Sequence, residues 1–209
     1  MQDRQIAGFV MFATPVPHPA PRGECEGFSS RENHFYNRGI TKMTQLHAQP
    51  YSLDATGFYF ESAEDFINQM EGLTDRYGAP VEEFEIQFID GDDYKLFEMA
   101  GINQATLSTW FEEIEPLTDD EKLGVYFLLD QGYELNYALG HYDDVSIQES
   151  SLEDAAAQLF DECYAHDIPE SLRYYIDYDK FARDVKLGGD MVEFEYNGTT
   201  YTCTNANGL

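Results

Sequence analysis

The feature that most constrains this 209-residue chain is where its charge lies. Residues 43–209 carry 36 Asp and Glu against seven Lys and Arg, a formal net charge of −29. Residues 1–42 carry four acids and five bases, a net of +1. Repulsion of that size works against a compact fold and against any anionic partner, so a generic nucleic-acid-binding or membrane-surface protein is excluded. Disorder is not expected either. The chain is 43% hydrophobic and 15% aromatic, and the acids are interleaved with Phe, Tyr, Ile and Leu, which supplies a core.

Cys25, Cys163 and Cys203 form no CxxC pair and no zinc cluster, and read as free thiols of a cytoplasmic protein. The apolar run at residues 6–13 falls far short of the roughly 20 residues that a membrane span needs. No small-residue cleavage site clearly follows it, so a signal peptide is not expected. Four prolines alternate through residues 14–22, which favours an extended polyproline II linker. Composition changes at Met43. Residues 1–42 therefore read as an extended or weakly ordered arm, or as sequence upstream of a native start at Met43.

Beyond Met43 the pattern predicts an α+β fold. Residues 43–100 read as a mixed α/β unit with no clear opening strand before Pro50. Within it lie a short strand ending at Phe60, a helix capped by Ser62, and a strand over 82–90 with Phe84, Ile86 and Phe88 on one face. Residues 101–144 read as a helical unit: Asn103 caps 104–115, a Thr118/Glu121 capping box opens a second helix, and 134–139 form a third, stopped by Gly140. Residues 145–209 return to mixed structure. A strand leads to a helix capped by Ser151, two helices follow Pro169, and a hairpin turns at Asn197-Gly198. The strand, Glu-Ser, capped-helix order occurs near 58–65 and again near 145–154, a weak internal echo. Tyr174 and Tyr175 read as core or partly buried rather than as surface anchors.

Catalytic and metal signatures are sparse. Asp90, Asp92 and Asp93 form the most metal-like cluster, and a Mg²⁺-dependent enzyme using them is the alternative reading. As a calcium loop the cluster fails, because Lys95 and Gly101 stand where Gly and Glu are required. His18, His34, His47, His141 and His166 form no HxxxH or HExxH pattern, and there is no phosphate loop or GxSxG. No cofactor, no metal and no catalytic residue are expected. A halophilic protein, with acids serving solvation alone, is a further alternative.

The charge remains to be explained. Acids recur on the outer faces of nearly every element: Glu61, Glu64 and Asp65; Glu82, Glu83 and Glu85; Asp90, Asp92 and Asp93; Glu112, Glu113 and Glu115; Asp119, Asp120 and Glu121; Asp143 and Asp144; Glu153, Asp154, Asp161 and Glu162. B-DNA carries one charge per about 1.7 Å of axis, so 29 charges match about 50 Å, or about 15 base pairs, of duplex. Such a surface would meet a basic DNA-binding groove much as phosphates do.

Three stretches carry a family resemblance: Glu82-Glu-Phe-Glu-Ile-Gln-Phe-Ile-Asp-Gly-Asp-Asp93, Gly101-Ile-Asn-Gln104, and Ile168-Pro-Glu-Ser-Leu-Arg-Tyr-Tyr-Ile-Asp-Tyr-Asp-Lys-Phe-Ala-Arg-Asp184. They resemble the ArdA antirestriction family over roughly 45–201. The resemblance implies an elongated chain of three small domains, a homodimer, and a DNA-mimicking surface. The implied partner is the DNA-binding groove of type I restriction-modification enzymes, blocked without chemistry, and the implied gene setting is a mobile genetic element. A DNA mimic aimed at another defence nuclease stays open.

Overall fold

The computed structural model describes residues 43–209. The N-terminal arm and proline-rich stretch expected of residues 1–42 lie outside them. The described residues form the expected mixed α+β fold, with eight helices and two three-stranded antiparallel sheets.

The first sheet holds β1 (Gln45–Pro50), β2 (Phe58–Phe60) and β3 (Phe84–Asp90), in the order β2-β1-β3. The expectation of no clear strand before Pro50 is corrected here: β1 is the central strand. Its Leu46, Ala48 and Pro50 turn into the core. Leu46 stands opposite both Phe60 and Phe88, and Ala48 opposite both Phe58 and Ile86. Helix α1 (Ala63–Glu71) starts as its sequence predicts, with the Ser62 hydroxyl accepting from the Asp65 N–H. It lays Phe66 on the sheet, where Phe58, Phe60 and Phe84 have ring centroids 5.1–5.8 Å away. Each such aromatic pair adds about 0.5–1.5 kcal/mol beyond its burial.

A short α2 (Tyr94–Met99), absent from the sequence reading, follows β3. The Asn103-capped stretch is one turn of 3₁₀ helix, then α3 (Leu107–Thr109), then a π-helical turn over Trp110–Ile114. The wide turn closes with the Glu115 N–H donating to the Trp110 carbonyl at 2.8 Å. It buries Trp110 and Ile114 while leaving Glu112 and Glu113 exposed.

Helix α4 (Asp119–Asp130) opens with the predicted Thr118/Glu121 capping box. Every residue from 122 to 128 is buried, as in a helix enclosed on all sides. Gly124 permits this: a Cβ there would stand 2.6 Å from the Tyr142 carbonyl oxygen. Helix α5 (Leu135–His141) runs on through Gly140, where the sequence suggested a stop.

The second sheet holds β4 (Ile147–Gln148), β5 (Val192–Tyr196) and β6 (Thr199–Cys203), in the order β4-β6-β5. Asn197 and Gly198 both have positive φ, 50° and 82°, as a two-residue hairpin of this type demands. Helix α6 (Leu152–Cys163) is capped by Ser151, α7 (Glu170–Arg173) follows Pro169, and α8 (Tyr178–Gly188) ends on Gly189 at φ 77°. Both halves of the internal echo are present: β2 leads to Ser62 and α1, and β4 leads to Ser151 and α6. Each of these strands is a sheet edge.

One core runs from Leu46, Phe60 and Phe84 through Trp110, Val125 and Phe127 to Phe194, Tyr196 and Cys203. A smaller one joins α6 to α8 through Ala155, Ala156, Ala182 and Val185. The reading of Tyr174 and Tyr175 as partly buried is corrected, because they are 90% and 78% exposed.

Candidate functional site

The carboxylates are the candidate site, and their placement is uniform in one respect. Of the 36 in residues 43–209, 30 are exposed and six half-buried. Seven bases could neutralise at most seven of them one to one. Arg76 pairs with Asp54, Lys95 with Glu195, Lys122 with Asp93 and Lys180 with Asp177, at 2.7–3.8 Å.

On the first sheet, Glu61 and Glu64 are exposed and Asp65 is half-buried at the start of α1. Glu61 accepts from Gln45 at 3.2 Å and Asp65 from Gln69 at 3.1 Å. Glu82, Glu83 and Glu85 project from the entry to β3. The Gln104 side chain holds that entry in place by acting as a surrogate peptide. Its Nε2 donates to the Glu82 carbonyl at 2.8 Å and its Oε1 accepts from the Phe84 N–H at 3.0 Å.

Glu112 and Glu113 are exposed on the π turn, whereas Glu115 is half-buried and accepts from the Thr44 N–H at 3.1 Å. Asp119 and Asp120 are exposed in the first turn of α4, where the helix dipole favours them. Glu121 is turned back onto the Thr118 N–H. Asp143 and Asp144 are exposed on the loop before β4, which Asn205 pins by the same surrogate-peptide device. Its Nδ2 donates to the Asp144 carbonyl and its Oδ1 accepts from the Ser146 N–H, both at 2.8 Å. Glu153, Asp154, Asp161 and Glu162 are exposed along α6. Asp161 accepts from the Tyr178 hydroxyl at 2.6 Å, which pushes that phenol's pKa up.

The Asp90, Asp92 and Asp93 cluster separates by environment. Asp92 is exposed and Asp90 half-buried. Asp93 is engaged inward, its Oδ2 accepting from Lys122 Nζ at 2.7 Å. Among the described residues no group of three or more His, Cys, Asp or Glu side chains is placed to hold a metal. The Mg²⁺-enzyme alternative therefore gains no geometric support.

The sequence reading omitted outward acids that it had the means to find. Glu193 and Glu195 alternate along β5 as Glu83 and Glu85 do near β3, and period two marks them. Glu193 also caps α6, accepting from the Leu152 N–H at 2.8 Å. Asp177, which caps α8, is held below the usual carboxylate range by the Lys180 N–H and ammonium. Behind the acids, burial pushes the Tyr126 and Tyr196 phenols up, with Asp130 and Glu195 adding to the first and Asp93 to the second.

Set beside known families, the sequence matches the model of the antirestriction protein (ArdA) over residues 42–199. The chain belongs to the ArdA family. Its function is antirestriction, and its family is one of inhibitor proteins that act on restriction enzymes, not one of enzymes. The matched span begins within a residue of the composition change at Met43 and takes in all 21 candidate acids. No curated protein matches the chain. Among the described residues of this ArdA family member, no helix is long and apolar enough to cross a membrane.

Proposed function

We propose that this ArdA family member occupies the DNA-binding groove of a type I restriction-modification enzyme, its carboxylates standing where DNA phosphates would. The observation that carries the reading is the exposed charge: 30 of the 36 acidic residues in 43–209 are exposed, against seven bases in all. Exposed acids are ordinary, but an excess of 29 over the bases is not, since self-repulsion on that scale costs stability. Family membership supplies the class of target. No bond is made or broken. Affinity comes from many weak contacts between carboxylates and the Lys and Arg of the groove, together with the steering that opposite charge gives to encounter. The same reading has the inhibitor act in the cytoplasm as a homodimer, and places its gene on a mobile element that meets restriction on entry.

The test mixes the protein with a type I methyltransferase core, with and without competing duplex, across a salt series. Complex formation that duplex abolishes and salt weakens is the expected result. A complex that persists under saturating duplex would refute groove occupancy.

A further inference from the structure

Aromatic rings spaced four residues apart, at 133, 137 and 141, form a ladder that starts just before α5 and runs along it. Tyr133 and Tyr137 stack at 4.8 Å and 14°, and Tyr137 and His141 at 4.2 Å and 23°. The ladder ends at His141, whose second face lies outside the stack. An open notch of ≈ 450 Å³ begins there, lined by Tyr137, His141, Asp144, Gly208 and Leu209. Each wall is held from behind. The Tyr133 hydroxyl donates to the Leu209 carbonyl, His141 Nδ1 meets Asp144 Oδ2 at 2.8 Å, and Asn205 fixes the Asp144 loop.

We infer that this notch receives an arginine side chain of the bound partner. The chemistry is specific. In the tautomer with its proton on Nδ1, the His141 ring donates to Asp144, whose carboxylate keeps lone pairs for a second donor. A flat guanidinium extends the ladder by stacking on the imidazole and donates in its own plane to the Asp144 carboxylate beside the ring. A lysine ammonium satisfies the acceptors but has no face to stack. Access is not limiting, because the His141 and Asp144 side chains are 45% and 61% exposed. The cationic choice follows from the −29 body around it. The inference rests on the groove-occupancy reading for the identity of the partner, and adds to diffuse charge attraction one preorganised anchor of the kind that dominates interface energetics.

The experiment titrates the isotopically labelled full chain with N-acetylarginine amide and, separately, with N-acetyllysine amide, following amide resonances by NMR. Saturable shifts at residues 137, 141 and 144 are expected, with arginine about two- to fivefold tighter than lysine. His141→Leu and Tyr137→Leu should each remove that preference. Asp144→Asn should weaken both ligands while sparing the preference. Equal shifts for the two ligands spread over the acidic surface, or an arginine preference that survives His141→Leu, would overturn the notch. No restriction enzyme enters this measurement, so its failure leaves groove occupancy standing, and failed duplex competition leaves the notch standing.

Discussion

Replacing Lys122 by Met tests how the fold tolerates so much acid. Lys122 is 2% exposed and its ammonium reaches Asp93, itself 13% exposed, at 2.7 Å. Met keeps most of the aliphatic stem, so the packing loss stays under about 1.5 kcal/mol. The Asp93 carboxylate is then left largely buried without its cation, which costs about 3–5 kcal/mol. For a folded body of this size that loss lowers Tm by about 6–20 °C. Adding Asp93→Asn removes the stranded charge and should return most of the stability, giving a coupling energy of at least about 2 kcal/mol in the double-mutant cycle. Urea unfolding of the wild type, both single variants and the double variant measures it, with an unchanged m-value as the check on two-state behaviour. A Lys122→Met cost below about 1 kcal/mol, or a double variant no better than the single, would refute the claim that this pair is a buried clamp.

Gly124→Ala should destabilise by about 1–2 kcal/mol although Ala is the better helix former, because the new Cβ meets the Tyr142 carbonyl at 2.6 Å; urea melts decide it. Tyr126 and Tyr196 have phenol pKa values raised by burial. The folded state therefore holds protons that the unfolded chain releases, and stability should fall as pH rises past about 10, read as a declining urea midpoint together with delayed phenolate absorbance. Changing Glu82, Glu83, Glu112, Glu113, Asp143 and Glu153 together to their amides should weaken methyltransferase binding at least tenfold and flatten its salt dependence. Any one of these changes alone should do little, and an unchanged salt slope in the sextuple variant would count against phosphate imitation. Burial raises the Cys203 thiol pKa, so it should resist alkylation at pH 8 until urea unfolds the chain, as mass spectrometry of the labelled peptide would show.

Local chemistry was legible in the sequence, and long-range chemistry was not. Ser62, Asn103, Thr118 and Ser151 cap helices in the structure as their spacing indicated, because a cap is satisfied by backbone within three residues. The Asn197-Gly198 turn was legible for the same reason. Strand β1 was hidden because Gln, Ala and Pro give it little β-propensity. It is a strand by virtue of partners 10 to 45 residues away on both sides, Phe58–Phe60 and Phe84–Asp90. Helix α2 was hidden by its six-residue length, and because Asp93, its N-cap, turns to Lys122 instead of to the backbone. The outward acids of the candidate surface could be read from alternation and helix starts. The amides of Gln104 and Asn205 could not, because their bonds cross about 20 and 60 residues of chain. Nor could the inward fate of Asp93, which looked in sequence like its two neighbours.

The hairpin of β5 and β6 closes the core over α4, with Phe194 resting 5.0 Å from Phe127 and Tyr196 4.6 Å from Tyr126. Residues about 70 positions further along the chain thus cover that flank of α4. Without the hairpin the helix would bare apolar rings to water, so loss of this one ribbon would expose the middle of the core and not merely an edge.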